Sequence, residues 1–251
     1  MSRPRPLRIG LAQLPVAMGD KPGNLRSIRA YLDRAARRKF DVVVFPECSL
    51  AGWLSTGARA AAEPIPGPLT EELGRRAREF RMAIVMGLEE RHGRRIHNSA
   101  VLIDREGRLR LHHRKIDELE IGRRLYTTGQ TLAVGEFEGR TVALDICADS
   151  WRPTVTDALF QMGARLIFSP CAWAVEPGGE ATNLAWISET YRLRCQGRDL
   201  TIAAANGVGR VTQGPWRGRV LQGNSLVTGP GGMPILRGPA SRPALLAATV
   251  P

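Results

Sequence analysis

The sequence predicts an α/β protein built on mixed sheet, and two observations carry that expectation. Short apolar runs of strand length alternate with longer stretches of helical period, and several runs follow one another with only a turn between them. The first pattern calls for parallel strands joined by crossover helices. The second calls for hairpins, so both kinds of pairing share the chain. In order, LRIGLAQL (7–14) reads as a strand, 24–39 as an amphipathic helix, DVVVF (41–45) as a buried strand and 69–81 as a second helix. MAIVMGLEE (82–90), HNSAVLID (97–104) and RLRLHHRK (108–115) are three consecutive strands, the last two joined across Arg105-Glu106-Gly107. TLAVGEF (131–137) and TVALDIC (141–147) pair around Glu138-Gly139. A helix from 153 to 162, the strand RLIFSPC (165–171), a helix near 183–196 and the strand LTIAAAN (200–206) follow. Gly-rich strand material, VLQGNSLVTG and ALLAATV, fills the last forty residues. Helices on at least one face of the sheet satisfy this order, and no internal repeat is visible.

The chain has 251 residues and no Pro/Gly/Ser tract divides it, so a single domain over 1–251 is expected. The opening MSRPRPLRIG lacks the apolar stretch of a signal peptide, and no run approaches the roughly 20 apolar residues of a membrane helix. A soluble, cytoplasmic protein with no membrane partner is therefore expected. Cys48, Cys147, Cys171 and Cys195 contain no close pair, which removes CxxC metal or redox chemistry and leaves reduced thiols as the simpler reading. The net charge of +12 invites a nucleic-acid partner, but the arginines are scattered through every third of the chain, many on solvated helix faces. No basic tail or aromatic-basic motif accompanies them, and no nucleic-acid partner is predicted. Lysine is rare: Lys21, Lys39 and Lys115 stand against 33 arginines. In such a chain a lysine marks a place where a compact ammonium suits better than a planar guanidinium.

Three reactive side chains each sit just after a hydrophobic run: Glu47 in FPE, Lys115 in HHRK and Cys147 in DIC. Strand exits can aim a nucleophile, a base and a cation at one point, which is what thiol attack on a weak carbonyl electrophile requires. Each residue has a bland reading taken alone, as an inert buried thiol, a solvated loop carboxylate or a strand-end lysine facing water. His112 and His113 are adjacent on a strand, point to opposite faces and cannot both ligate one ion. Other hydrolase routes find no support. GNSLV lacks the second Gly of a serine elbow, and no Walker A, GxGxxG or HExxH word occurs.

Together, DVVVFPECSLAGW, RLRLHHRKIDELE and TVALDICADSWRP resemble, in that order, the three signature segments of the nitrilase superfamily of carbon-nitrogen hydrolases. The resemblance reaches nearly the whole chain through RIGLAQL, SPCAW (169–173), Trp186 and AANGVG (204–209). It implies a four-layer α-β-β-α sandwich with mixed sheets, which periodicity alone does not separate from a doubly wound sheet. It also implies a thiol amidohydrolase in which Glu47 is general base, Lys115 stabilises the oxyanion and Cys147 forms a thioester. The C-x-D-x-x-x-P pattern is completed by Asp149 and Pro153. A second acid after the lysine often assists; Glu118 and Glu120 are both available, and Glu118 is preferred. No cofactor or metal is implied. The expected substrate is a small amide or N-carbamoyl compound, with a nitrilase, an amine acyltransferase or a non-catalytic binding protein as the alternatives. A homodimer or higher oligomer, joined through the segment 153–162, is also implied.

Two departures stand out. The Ala-x-Glu-Asn word of many relatives is replaced by Cys195-Gln196-Gly197-Arg198, which bears on packing or subunit contact. Cys48 lies beside Glu47, and strand alternation would send it to the core. Trp53, Tyr126, Trp151 and Trp173 fall in the loops that choose the substrate. The place of Cys147 beside a base and a cation predicts a raised thiolate fraction and faster labelling than the other three cysteines.

Overall fold

The computed structural model describes residues 4–251. The first half runs β1 (Leu7–Gln13), α1 (Lys21–Arg37), β2 (Val42–Val44), α2 (Ala58–Ala61), α3 (Pro68–Phe80), β3 (Ala83–His92), β4 (Arg95–Ile103) and β5 (Leu109–Arg114). The second runs β6 (Val134–Phe137), β7 (Arg140–Leu144), α4 (Pro153–Gln161), β8 (Leu166–Cys171), β9 (Ala174–Val175), α5 (Glu180–Cys195) and β10 (Thr201–Asn206). The chain closes through β11 (Val208–Arg210), β12 (Val220–Gln222), β13 (Leu226–Thr228), β14 (Pro234–Arg237) and β15 (Ala244–Val250).

Two six-stranded sheets result, ordered β15-β1-β2-β3-β4-β5 and β14-β13-β10-β8-β7-β6. Read from β15, the first sheet pairs antiparallel, parallel, parallel, antiparallel, antiparallel. Read from β6, the second gives the same series. The two sheets therefore share one strand plan although no sequence repeat betrays it. β9, β11 and β12 form a small third sheet that the sequence reading missed, because strands of two or three residues carry no measurable period.

Burial explains the layers. On β1 and β2, Leu7, Ile9, Leu11, Val42 and Val44 face one way, and with Leu144, Leu166 and Phe168 they make the core between the sheets. Val43, Ile84 and Met86 face the other way and are covered by Ile28, Tyr31 and Leu32 of α1 and by Leu69, Leu73 and Ala77 of α3. On the far side Ile187 and Tyr191 of α5 and Leu159 of α4 join the inter-sheet core cluster. The architecture is the expected α-β-β-α sandwich. Helices α1, α3 and α4 begin with chain chemistry that stops them fraying. Asp20 caps α1 by accepting from Gly23 N at 2.9 Å, and proline occupies the first turn of α1, α3 and α4. Glu138 and Gly139 both have positive φ, which is the turn geometry that a tight β6-β7 hairpin demands.

In the segment 153–162, Val155 and Leu159 pack inward, Ala158 and Phe160 are half-buried and Met162 is exposed. One expectation needs correction. Cys48 is buried as expected, but it lies in the turn after β2 with φ +48 rather than on a strand, so alternation does not explain its burial. No helix among the described residues is long and apolar enough to cross a membrane.

Candidate active site

The sheets bring three chain exits together at one end of the sandwich. Pro46 and Glu47 leave β2, and the Glu47 N–H donates to the Cys171 carbonyl at the end of β8 at 3.2 Å, joining the exits of the two sheets. The approach depends on Gly87 of β3. A Cβ there would lie 2.5 Å from the Pro46 carbonyl, 2.6 Å from the Glu47 Cα and 2.9 Å from Pro170. Lys115 follows β5 directly, and its N–H donates to the Asn98 carbonyl at 2.8 Å, extending the ladder to the reactive residue. Cys147 opens a turn of 3₁₀ helix, Cys147–Trp151, with φ +53. That left-handed conformation is uncommon for a side chain with a Cβ, and such strain persists only where the surroundings fix it.

Asp149 supplies the fixing. Its Oδ2 accepts from Ile146 N at 3.0 Å and from His113 Nε2 at 2.8 Å, and its Oδ1 accepts from Ile116 N at 3.0 Å and Asp117 N at 2.7 Å. One carboxylate thus ties the cysteine turn to the loop after Lys115. Burial opposes its charge, yet His113 and these N–H groups hold Asp149 below its ordinary carboxylate range. His112 points the other way and meets Glu90, so the pair does face opposite sides of the strand, as alternation required.

Glu47, Lys115 and Glu118 meet in a buried cluster. Lys115 Nζ lies 2.6 Å from Glu47 Oε1 and 3.4 Å from Glu118 Oε1. Asn98 Nδ2 donates to Glu47 Oε1 at 2.6 Å and to Glu118 Oε2 at 3.1 Å, and Trp53 Nε1 donates to Glu118 Oε1 at 3.2 Å. Of the two acids offered by the sequence, Glu118 is buried here and Glu120 is exposed. Asn98 was not singled out, although it stands in the strand word leading to Lys115; a buried amide between two carboxylates needs the three-dimensional pairing to be seen.

The protonation pattern follows from burial. Burial raises Glu47 above its ordinary carboxylate range, Lys115 and Asn98 pulling against it. For Lys115, burial works against the charge, but Glu47 and Glu118 outweigh it and hold the ammonium well above the usual lysine range. Burial, with the neighbouring Cys171 thiol and the charge of Glu47, pushes Cys147 well above the usual thiol range despite Lys115. That direction runs against the raised thiolate fraction expected from the charged neighbours. The sequence shows the charged neighbours but not the dry surroundings that outweigh them.

Above the cluster opens a pocket with about 360 Å³ of empty space, lined by Glu47, Lys115, Cys147 and the indoles of Trp53, Trp151, Trp173 and Trp216. Trp216 and Asn183, which also line it, were not foreseen, because they lie far along the chain in segments with no reactive neighbour. Tyr126 does not line it. It is buried behind, its hydroxyl 3.6 Å from Cys48 Sγ.

Comparisons with known proteins bear on the family and the fold. An (R)-stereoselective amidase of Pseudomonas sp. is 34% identical over 164 residues, covering 64% of this chain and 58% of the amidase. A bifunctional nitrilase/nitrile hydratase of Lupinus angustifolius is 25% identical, covering 66% of this chain and 53% of that protein. The chain thus spans less than two thirds of the length of these curated relatives. A solved amidase from Nesterenkonia sp. has the same fold, with TM-score 0.80 and 24% identity over 100% of this chain and 92% of that one. The family model for carbon-nitrogen hydrolase matches residues 8–251, and the chain belongs to that family.

Proposed function

We propose that this protein is a thiol amidohydrolase that cleaves the C–N bond of a small amide or N-carbamoyl compound through a thioester on Cys147. The observation that carries the reading is the buried contact of Lys115 Nζ with Glu47 Oε1 at 2.6 Å, in the wall of the pocket that Cys147 also lines. Lys115 and Asn98 both occupy Oε1 of Glu47, which leaves Oε2 to receive the thiol proton. The raised Glu47 suits that exchange. Its proton affinity lies nearer to neutrality than an exposed carboxylate's, and proton transfer is most effective from such a group. The neutral thiol becomes nucleophilic only as its proton moves to Glu47, so attack on the substrate carbonyl and deprotonation are coupled.

Attack places negative charge on the carbonyl oxygen. Lys115, kept charged by Glu47 and Glu118, and a backbone N–H of the cysteine turn stabilise it there. Glu47 then returns the proton to the departing nitrogen, ammonia or amine leaves, and the acyl group remains on sulfur. Water deprotonated by Glu47 adds to the thioester and releases the acid. Glu118 assists by holding Lys115 charged and by anchoring Trp53 in the pocket wall. The family relationship supports the reaction class. In a mutant of the Nesterenkonia amidase, with glutamine in place of a glutamate, the acetamide moiety of fluoroacetamide is added covalently at the active-site cysteine.

Mixing enzyme with a hydrolysed amide and quenching in acid is expected to add the acyl mass to the peptide containing Cys147. Turnover with the acyl group on any other residue, or with no acyl-enzyme under single-turnover conditions, would remove Cys147 from its role. Turnover of nitriles and not of amides would favour the nitrilase alternative.

A further inference from the structure

The pocket's walls discriminate by charge. Among the described residues lining it, Lys115 is the one cation, and its charge is already met by Glu47 at 2.6 Å and Glu118 at 3.4 Å. Neither guanidinium close in sequence to the lining residue Trp216 is part of the lining: Arg217 is exposed, and Arg219 is engaged elsewhere. It stacks on the Trp216 ring at 3.9 Å and pairs with Glu176 at 2.8 Å. The rest of the lining is apolar or neutral: Trp53, Trp151, Trp173, Trp216, alanines, Leu119 and Asn183. The indole N–H groups of Trp151 and Trp173 are buried without a partner among the described residues, and they bring no charge.

The indoles are also braced. Trp53 packs edge-on against Trp216 with centroids 4.6 Å apart, Trp151 against Trp186 at 4.9 Å, and Trp173 against Tyr191 at 5.8 Å. Each wall is therefore held by a second ring from another part of the chain, and the space between them is small. A carboxylate bound there would lose its hydration, share the pocket with Glu47, and find no free cation among the described lining residues. An uncharged, apolar group would lose little and gain contact with indole faces.

Building on the amidohydrolase reading, we propose that the substrate is a small uncharged amide with an apolar acyl group, and that amides bearing a second, free carboxylate are rejected. This separates the protein from enzymes of the ω-amides of dicarboxylic acids and of N-carbamoyl amino acids, both of which must hold a carboxylate away from the scissile bond.

The test uses two pairs of nearly isosteric substrates with the wild-type enzyme: 4-methylpentanamide against succinamate, and 3-methylbutylurea against N-carbamoyl-β-alanine. In each pair an isopropyl group replaces a carboxylate of similar size. We expect the uncharged member of whichever pair is hydrolysed to be favoured by about 100-fold or more in kcat/KM, because the charged member must bury an unpaired carboxylate. A ratio near one, or preference for succinamate or N-carbamoyl-β-alanine, would overturn the charge selection while leaving the amidohydrolase reading standing. Ammonia release from none of the four would overturn both.

Discussion

Glu47 and Glu90 are both buried carboxylates at the end of the first sheet, each beside a cation, yet their surroundings drive their proton affinities apart. Glu90 accepts from both nitrogens of a guanidinium fork, with Arg114 Nε at 2.8 Å, and from His112 Nε2 at 2.9 Å and Ser99 Oγ at 2.6 Å. Burial opposes its charge, but these donors outweigh burial and hold Glu90 well below the usual carboxylate range. Glu47 has one ammonium and one amide, both on the same oxygen, and for it burial prevails. A carboxylate saturated with donors is a fixed anion. One held by a single oxygen can take up and return a proton. On the proposed reading, the chain places a structural and a chemical glutamate close together, and the count of donors separates their roles.

The strongest test of that division removes the mobile proton. Glu47→Gln keeps size and hydrogen bonding but carries no titratable oxygen, so kcat is expected to fall by about 10³-fold or more while the melting profile stays near wild type. Lys115→Arg should fail comparably, since a guanidinium is larger and planar where the pocket wall fits an ammonium. Most of the wild-type kcat surviving in a folded Lys115→Arg protein would send the oxyanion role elsewhere.

The converse variant acts on the fixed anion. Arg114→Met leaves Glu90 buried with its main charge partner gone, and the expected loss is about 3 kcal/mol of unfolding free energy, with kcat at permissive temperature changed less than about twofold. A fall in kcat as large as that of Glu47→Gln, at unchanged stability, would mean that the two clusters are not separate.

How much of this could be read from the chain depends on the range of each interaction. Glu47, Lys115 and Cys147 were legible because each ends an apolar run and carries its own signature word, and Glu118 because it follows Lys115 within one loop. The pairing of β15 with β1 was not legible, since antiparallel register over more than two hundred intervening residues leaves no local mark. For the same reason the sandwich followed from family resemblance and not from periodicity. His113 was rightly separated from His112 by alternation, but its partner Asp149 lies 36 residues away and only folding names it. The charged neighbours of Cys147 were visible in the sequence and its dry surroundings were not.

Glu89 sharpens the comparison, because it neighbours Glu90 on β3 but has no cation in contact among the described residues. Its carboxylate accepts from Leu50 N at 3.2 Å and Ala51 N at 3.0 Å, pinning the loop that follows Glu47. Burial, only partly offset by those N–H groups, pushes it up to about 7 from the ordinary 4.5. The sign follows from proton counting. Between those values the folded protein holds a proton that the unfolded chain has released, so unfolding free energy falls as pH rises. Glu89's contribution is fully present below pH 4.5 and is lost as pH rises through about 7. Glu89→Gln removes this titration and keeps an acceptor for one of the two N–H groups. Urea melts at pH 5 and pH 8 should therefore show a smaller drop in stability for the variant than for wild type, by on the order of 2 kcal/mol. Asp145, also buried and pushed up to about 7, titrates in both proteins and cancels in the difference. Equal drops in the two proteins would mean that Glu89 is already ionised in the fold, and that backbone N–H donors alone can do for a buried carboxylate what Arg114 does for Glu90.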